Sequence, residues 1–247
     1  MRKKILAANW KMNQTQPELN AWLQHFKGFN WYSEEAEVRI YPSSIYLKDF
    51  KDTSLHIGAQ NVYFELGGAF TGELSVAQLK SIAASSVLIG HSERRQIFSE
   101  TDDVITHKLQ ACAAQEFPFV LCCGETLQTR EANAHLSFVL DQLSQNLRGL
   151  PDSQVHLMVV AYEPIWAIGS GLSASIEQIA QMHEAIRSQL LAQFGAQGGQ
   201  IPILYGGSVS PENAEAIFGC PNVDGALVGG ASLDPQLFYQ LWQALHS

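Results

Sequence analysis

The stretch that decides the reading is His156-Leu157-Met158-Val159-Val160-Ala161-Tyr162-Glu163-Pro164. Its apolar run, 156–162, is rich in Val and lacks polar alternation, so it reads as a strand buried on both faces. It ends on a carboxylate, a group that has to be met by something. Seven other runs have the same character, at 4–8, 38–41, 56–60, 87–90, 119–122, 203–205 and 226–229. Most are separated by segments of helical period. Thr15 to Glu18 forms a capping box with Pro17 inside it, ahead of Leu19, Trp22, Leu23 and Phe26 on one face. Ser75 with Gln78 and Ser175 with Gln178 repeat that start signal, and Ser210-Pro211 and Asp234-Pro235 each set a capping residue before a proline.

A helical crossover returns the chain in its original direction, so strand and helix alternating eight times predicts a parallel sheet. Eight units in 247 residues fit a closed (β/α)8 barrel of the α/β class, eight parallel strands ringed by helices, as a single domain over 1–247. The short connections after the second and seventh strands leave room only for small helices. Gly67-Gly68 and Gly198-Gly199 read as loop tips.

Composition removes several classes. Charged residues make up 16%, too few for a coiled coil or a disordered chain, and the net charge is −9. An acidic balance argues against a general binder of nucleic acid or anionic membrane. No apolar run reaches the roughly 20 residues of a membrane span, and Asn9, Lys11 and Asn13 interrupt the first run, which excludes a signal peptide. Cys112, Cys122, Cys123 and Cys220 form no C-x-x-C pair and read as reduced, buried thiols of a cytoplasmic protein. Neither a metal motif nor a nucleotide-cradling glycine motif is present.

Polar and glycine residues follow the apolar runs at matching positions: Asn9 and Lys11; His91, Ser92 and Glu93; Gly124 and Glu125; Glu163; Gly206, Gly207 and Ser208; Gly229 and Gly230. In a barrel these points gather on the C-terminal rim, where barrel enzymes build their sites. Each has two readings. Glu163 is a salt-bridge partner, or a base whose pKa burial raises. His91 is a satisfied core residue, or a neutral hydrogen-bond donor at a helix N-terminus, where the dipole disfavours imidazolium. Lys11 is a solvated surface lysine, or the cation that meets an anionic ligand. The glycines make tight turns, or their amides bind phosphate after strands seven and eight. The loop Pro164-Ile165-Trp166-Ala167-Ile168-Gly169-Ser170-Gly171-Leu172-Ser173-Ala174 has the make-up of a lid that excludes water.

Five motifs resemble the triosephosphate isomerase family: Asn9-Trp10-Lys11-Met12-Asn13, Gly90-His91-Ser92-Glu93-Arg94-Arg95, Tyr162-Glu163-Pro164-Ile165-Trp166-Ala167-Ile168-Gly169, Tyr205-Gly206-Gly207-Ser208-Val209 and Val228-Gly229-Gly230-Ala231-Ser232. They keep the family's order over nearly the whole chain. The resemblance implies a TIM barrel and the interconversion of dihydroxyacetone phosphate and D-glyceraldehyde 3-phosphate through an enediolate, in glycolysis and gluconeogenesis. It implies no cofactor and no metal. Glu163 is then the base, His91 the donor to the substrate oxygens, Lys11 the charge stabiliser and Asn9 an orienting group. Glu93 pairs with Lys11 or positions the network, and amides around Gly169, Ser208, Gly229 and Gly230 hold the phosphate. The family's cytoplasmic homodimers imply that the loop 61–73 enters a second copy, with Thr71 reaching the rim near Asn9 and Lys11.

The chain departs from the family at Gly169-Ser170-Gly171-Leu172-Ser173-Ala174, where Gly-Thr-Gly-Lys-Thr-Ala is common, at Ser43 after Pro42, and at Cys123. The rival readings are another phosphosugar barrel, such as a Schiff-base aldolase, and a non-catalytic binding protein. The aldolase needs a desolvated lysine at the reacting centre, where this chain has Glu163. The binding protein has no need to keep base, donor and lid together.

Overall fold

The computed structural model describes residues 2–50, 55–169 and 172–246. Its elements run β1 (Lys4–Asn9), α1 (Gln16–Phe26), β2 (Ala36–Tyr41), β3 (His56–Ala59), α2 (Val76–Ser81), β4 (Ser86–Ile89), α3 (Ser92–Gln96), α4 (Asp102–Ala114), β5 (Phe119–Cys123), α5 (Leu127–Glu131), α6 (His135–Asn146), β6 (Met158–Tyr162), α7 (Ile176–Gly198), β7 (Ile203–Tyr205), α8 (Pro211–Phe218), β8 (Gly225–Val228) and α9 (Pro235–His246). The strands close into one parallel barrel in sequence order, so the (β/α)8 reading holds. β1 completes the ring against β8, with Ile5 opposite Gly225. That closure needs glycine: Gly225 has φ +138°, and a Cβ there would come within 1.9 Å of the Ile5 carbonyl oxygen.

The near-continuous apolar runs follow from burial on both faces. One set, including Ile5, Ala7, Leu88, Val120, Val159 and Leu204, fills the barrel interior. The alternate set, including Leu6, Val38, Val87, Val160 and Ile203, packs under the helices. Each fully buried Val or Leu stabilises the fold by roughly 1.5–3 kcal/mol. β2 departs from this pattern. Ala36, Val38 and Ile40 pack outward, while the other face carries Glu37, Arg39 and Tyr41, whose hydroxyl lies 2.9 Å from Ser86 Oγ.

The capping signals act as read. The Glu18 carboxylate accepts from Thr15 N at 2.7 Å, Ser75 Oγ and Ser175 Oγ accept from the amides of Gln78 and Gln178, and Asp234 Oδ1 accepts from Gln236 N. The connection after β2 is a 3-10 turn over Ser44–Phe50 and the one after β7 is the eight-residue α8, as the short spacings require. Most strand ends lie one or two residues from the ends of the apolar runs, and two departures have a clear local cause. His156 and Leu157 end a 3-10 turn over Asp152–Leu157, so β6 begins only at Met158. Gly198 is not a loop tip, because α7 continues to it past a non-helical Gly195 (φ 56°, ψ −139°). The four cysteines are free and buried. Among the described residues no helix is long and apolar enough to cross a membrane.

Candidate active site

The structure brings Asn9, Lys11, His91 and Glu163 to one cavity at the carboxyl ends of the strands, with Gly169, Ser208 and Gly229 in its walls. The cavity holds about 70 Å³. Gly230 begins the adjoining 3-10 turn, Gly230–Leu233. Glu93 lies one step outward, in a neighbouring cleft that shares Asn9, Lys11 and His91.

β1 delivers Asn9, whose Oδ1 accepts from Lys11 N at 3.0 Å. Lys11 sits in the left-handed region at φ 52°, a conformation a non-glycine residue keeps only when its surroundings impose it. Two groups hold its carbonyl, Gln60 Nε2 at 2.7 Å and Ser43 Oγ at 3.3 Å. Lys11 Nζ then reaches Glu93 Oε1 at 2.6 Å. Both side chains are partly exposed, so this pair orients the ammonium more than it stabilises the fold.

β4 ends at Ile89, and His91 caps α3. Its Nδ1 accepts from Glu93 N at 3.3 Å, which leaves Nε2 to carry the proton. Nε2 donates to Glu163 Oε1 at 2.9 Å. The other oxygen, Glu163 Oε2, accepts from Ser92 N at 2.9 Å. Glu163 is 2% exposed and His91 5%. The backbone is equally close: Glu163 N donates to the Cys123 carbonyl at 2.7 Å, and a Cβ on Gly124 would come 1.7 Å from the Glu163 carbonyl oxygen, so only glycine fits there.

Burial pushes the Glu163 carboxyl up, as the sequence suggests. The His91 ring, the Ser92 amide and Lys11 outweigh it and hold Glu163 below the ordinary carboxylate range. The expectation of a raised pKa is therefore corrected for this arrangement. Burial likewise pulls His91 down, and the adjacent Glu163 more than offsets it and raises the imidazole. The Glu93 amide at Nδ1 opposes a second ring proton, so the geometry favours one proton, on Nε2, facing the carboxylate.

The lid's root is a short 3-10 turn, Ile165–Ala167, that begins right after buried Pro164. Ile165, Trp166 and Ile168 are half-buried, Gly169, Leu172 and Ser173 are exposed, and Ala174 packs on the outer core. Ser170 and Gly171 lie outside the described residues. The anchor is Glu125, fully buried, whose Oε1 accepts from Trp166 Nε1 at 3.0 Å, Tyr162 Oη at 3.1 Å and Arg130 Nη1 at 3.1 Å. The sequence places Glu125 on the rim without a role, because two of its partners, Tyr162 and Trp166, lie 37 and 41 residues further along the chain. Gln60, the clamp of Lys11, is likewise given no role by the sequence. Glu125 is signalled only by its place after an apolar run and Gly124, and Gln60 only by its place as the last residue of the run 56–60.

Titratable side chains gathered at the carboxyl ends of parallel barrel strands mark the site of a barrel enzyme. Residues 4–245 match the triosephosphate isomerase family. The chain is 42% identical to the triosephosphate isomerase of Cytophaga hutchinsonii, covering 98% of both chains. It is 44% identical to that of Streptococcus thermophilus over 97% of both, and 42% identical to that of Thermodesulfovibrio yellowstonii over 98% of this chain and 99% of the other. The chain belongs to the triosephosphate isomerase family, and it is an isomerase.

Proposed function

We propose that residues 1–247 act as one barrel domain that interconverts dihydroxyacetone phosphate and D-glyceraldehyde 3-phosphate, with Glu163 as the single base. The observation that carries this is the buried 2.9 Å contact between Glu163 Oε1 and His91 Nε2, beside Lys11. Glu163 takes a proton from the carbon next to the substrate carbonyl, and the electron pair moves onto oxygen as an enediolate. The same carboxyl returns the proton to the neighbouring carbon. His91 donates its Nε2 proton to the oxygens on which charge develops, while Lys11 stabilises that charge and Asn9 orients the substrate.

Substrate has to come between Glu163 and His91 and draw the carboxylate off the Ser92 amide. Those two contacts, together with the charge of Lys11, hold the Glu163 carboxyl down. Once they are lost, burial dominates and raises the carboxyl toward the basicity that proton abstraction from carbon requires. Amides around Gly169, Ser208, Gly229 and Gly230 hold the phosphate, and the lid excludes water from the enediolate. The chemistry calls for no cofactor and no metal. Lys11 Nζ is engaged by Glu93 at 2.6 Å, so it lacks the desolvated free amine that an aldolase-type Schiff base needs.

The reading includes a cytoplasmic homodimer with Thr71 at the contact. Support comes from the exposed apolar side chains around Lys11: Met12 is 95% exposed, Ile45 76% and Phe98 64%, and all three line the cleft of about 480 Å³ beside the cavity. Leu66 and Phe70, on the protruding loop after β3, are exposed as well. A solvated patch of this kind marks a protein interface. A coupled isomerase assay, run with solvent deuterium exchange into dihydroxyacetone phosphate, tests the activity, and absent turnover with a folded protein refutes it. Deleting 67–70 is expected to give a weakly active monomer. Unchanged sedimentation at micromolar concentration refutes the dimer.

A further inference from the structure

At the opposite, amino-terminal end of the barrel, a cleft of about 530 Å³ opens between the end of α1 and the starts of β2 and β3. This volume lies within the range of small-molecule sites, and the cleft shares no residue with the catalytic cavity. Its chemistry stands out in a chain of net charge −9. Lys3, Lys27 and His56 line it, and Glu37 is the only carboxylate among the lining residues. Glu34 and Glu35 follow on the same segment but do not line it.

Glu37 is oversubscribed. Its carboxylate lies 2.9 Å from Lys3 Nζ, 2.5 Å from Arg39 Nη2 and 3.7 Å from His56 Nε2. Arg39 Nη1 is buried with no acceptor, and Lys27 makes no ion pair among the described residues. Among the lining groups two lysines thus face one carboxylate, and Arg39, which does not line the cleft, also contacts that carboxylate. The other wall is aromatic. Phe29 and Trp31 belong to a stacked array with Phe26 and Tyr239. Tyr32, 77% exposed at the cleft, stacks on no other ring among the described residues.

We propose that this cleft binds a purine nucleotide, its phosphates between Lys3, Lys27 and His56 and its base on the open face of Tyr32. Cations supply the phosphate contacts and the tyrosine supplies a base platform, a combination of charge-assisted phosphate contacts and aromatic stacking.

The test is calorimetric titration of the full-length protein with ADP, with adenosine and with inorganic pyrophosphate. Saturable ADP binding is expected, about tenfold or more tighter than either fragment, because both halves of the cleft contribute. Lys27→Glu is expected to weaken ADP by about tenfold through charge reversal, and Tyr32→Ala by about tenfold through lost stacking. Both positions are exposed, so both variants fold, and their isomerase turnover without nucleotide is expected to stay that of the wild type. Absence of saturable ADP binding overturns the proposal. So does ADP binding that is indifferent to both variants, that pyrophosphate alone reproduces, or that saturating triose phosphate displaces.

Discussion

The two ends of the barrel use buried carboxylates in opposite ways. At the amino end Asp224 is filled on every side. Its Oδ1 meets Arg2 Nε at 2.7 Å, and its Oδ2 meets Arg187 Nη2 at 3.0 Å and Ile203 N at 2.9 Å. Arg187 is fixed in turn by the carbonyls of Gly198 and Ile201. Its partners are Arg2 just ahead of β1, Arg187 midway along α7 and Ile203 at the start of β7, so the cluster ties these segments to the start of β8, and a ligand has nothing to displace. At the carboxyl end Glu163 is held by one imidazole and one amide, both facing a cavity. The same side-chain chemistry locks the fold in one place and stays displaceable in the other. The difference lies in whether the partners are structural or sit beside open space.

Three measurements can break this contrast. The largest effect is expected at the rim: Glu163→Gln removes the base and should lower kcat by about 10²–10⁴-fold with the melting temperature little changed. His91→Gln should cost about 10²–10³-fold, as for a lost donor to developing charge. Near-normal turnover in either variant would remove the rim from the mechanism. The next effect is expected at the amino end. Asp224→Ala leaves the buried Arg187 without its counter-charge and should destabilise the protein by about 3 kcal/mol, read by urea unfolding, with kcat preserved. A loss of turnover in the folded Asp224 variant would erase the division between the two ends.

The smallest effect separates two histidines. His91, beside Glu163, is raised. His183, fully buried on α7, has no carboxylate in contact. Its Nδ1 donates to the Asn222 carbonyl at 2.9 Å and its Nε2 has no partner. Burial lowers its pKa from 6.5 to about 4, against a small upward pull from that carbonyl. Between those values the unfolded chain binds the extra proton and the folded chain does not. Stability is therefore lost as pH falls from 6.5 and levels off below about 4. At pH 5.5 the loss from this residue is on the order of 1 kcal/mol. His183→Gln should flatten the acid limb of the stability curve by that amount. Parallel curves for the two proteins would refute the assignment.

Much of the fold was legible because its signals are local. A run buried on both faces has no polar alternation, and a capping box needs only four residues, so strands 119–122 and 203–205 and the starts at Ser75 and Ser175 were readable directly. Boundaries such as 156–158 were not, because an apolar residue serves equally in a 3-10 turn packed on the core. The inward face of β2 was hidden too: Arg39 and Tyr41 are tolerated inside only because Glu37 and Ser86 meet them from neighbouring positions. In the site, the positions of Asn9, Lys11, His91 and Glu163 followed from strand ends. The roles of Glu125 and Gln60 did not, because each joins segments distant in sequence.

Residue order alone settled the strand and helix alternation, the closed parallel barrel and the rim on which the polar residues gather, since these depend on periodicity and on handed crossover geometry. The charge states of that rim belong to the tertiary structure. Glu163 lies low and His91 high because folding brings them within 2.9 Å of each other where both are nearly buried. Electrostatic energy depends on distance and on local dielectric, and neither quantity exists until the strands close.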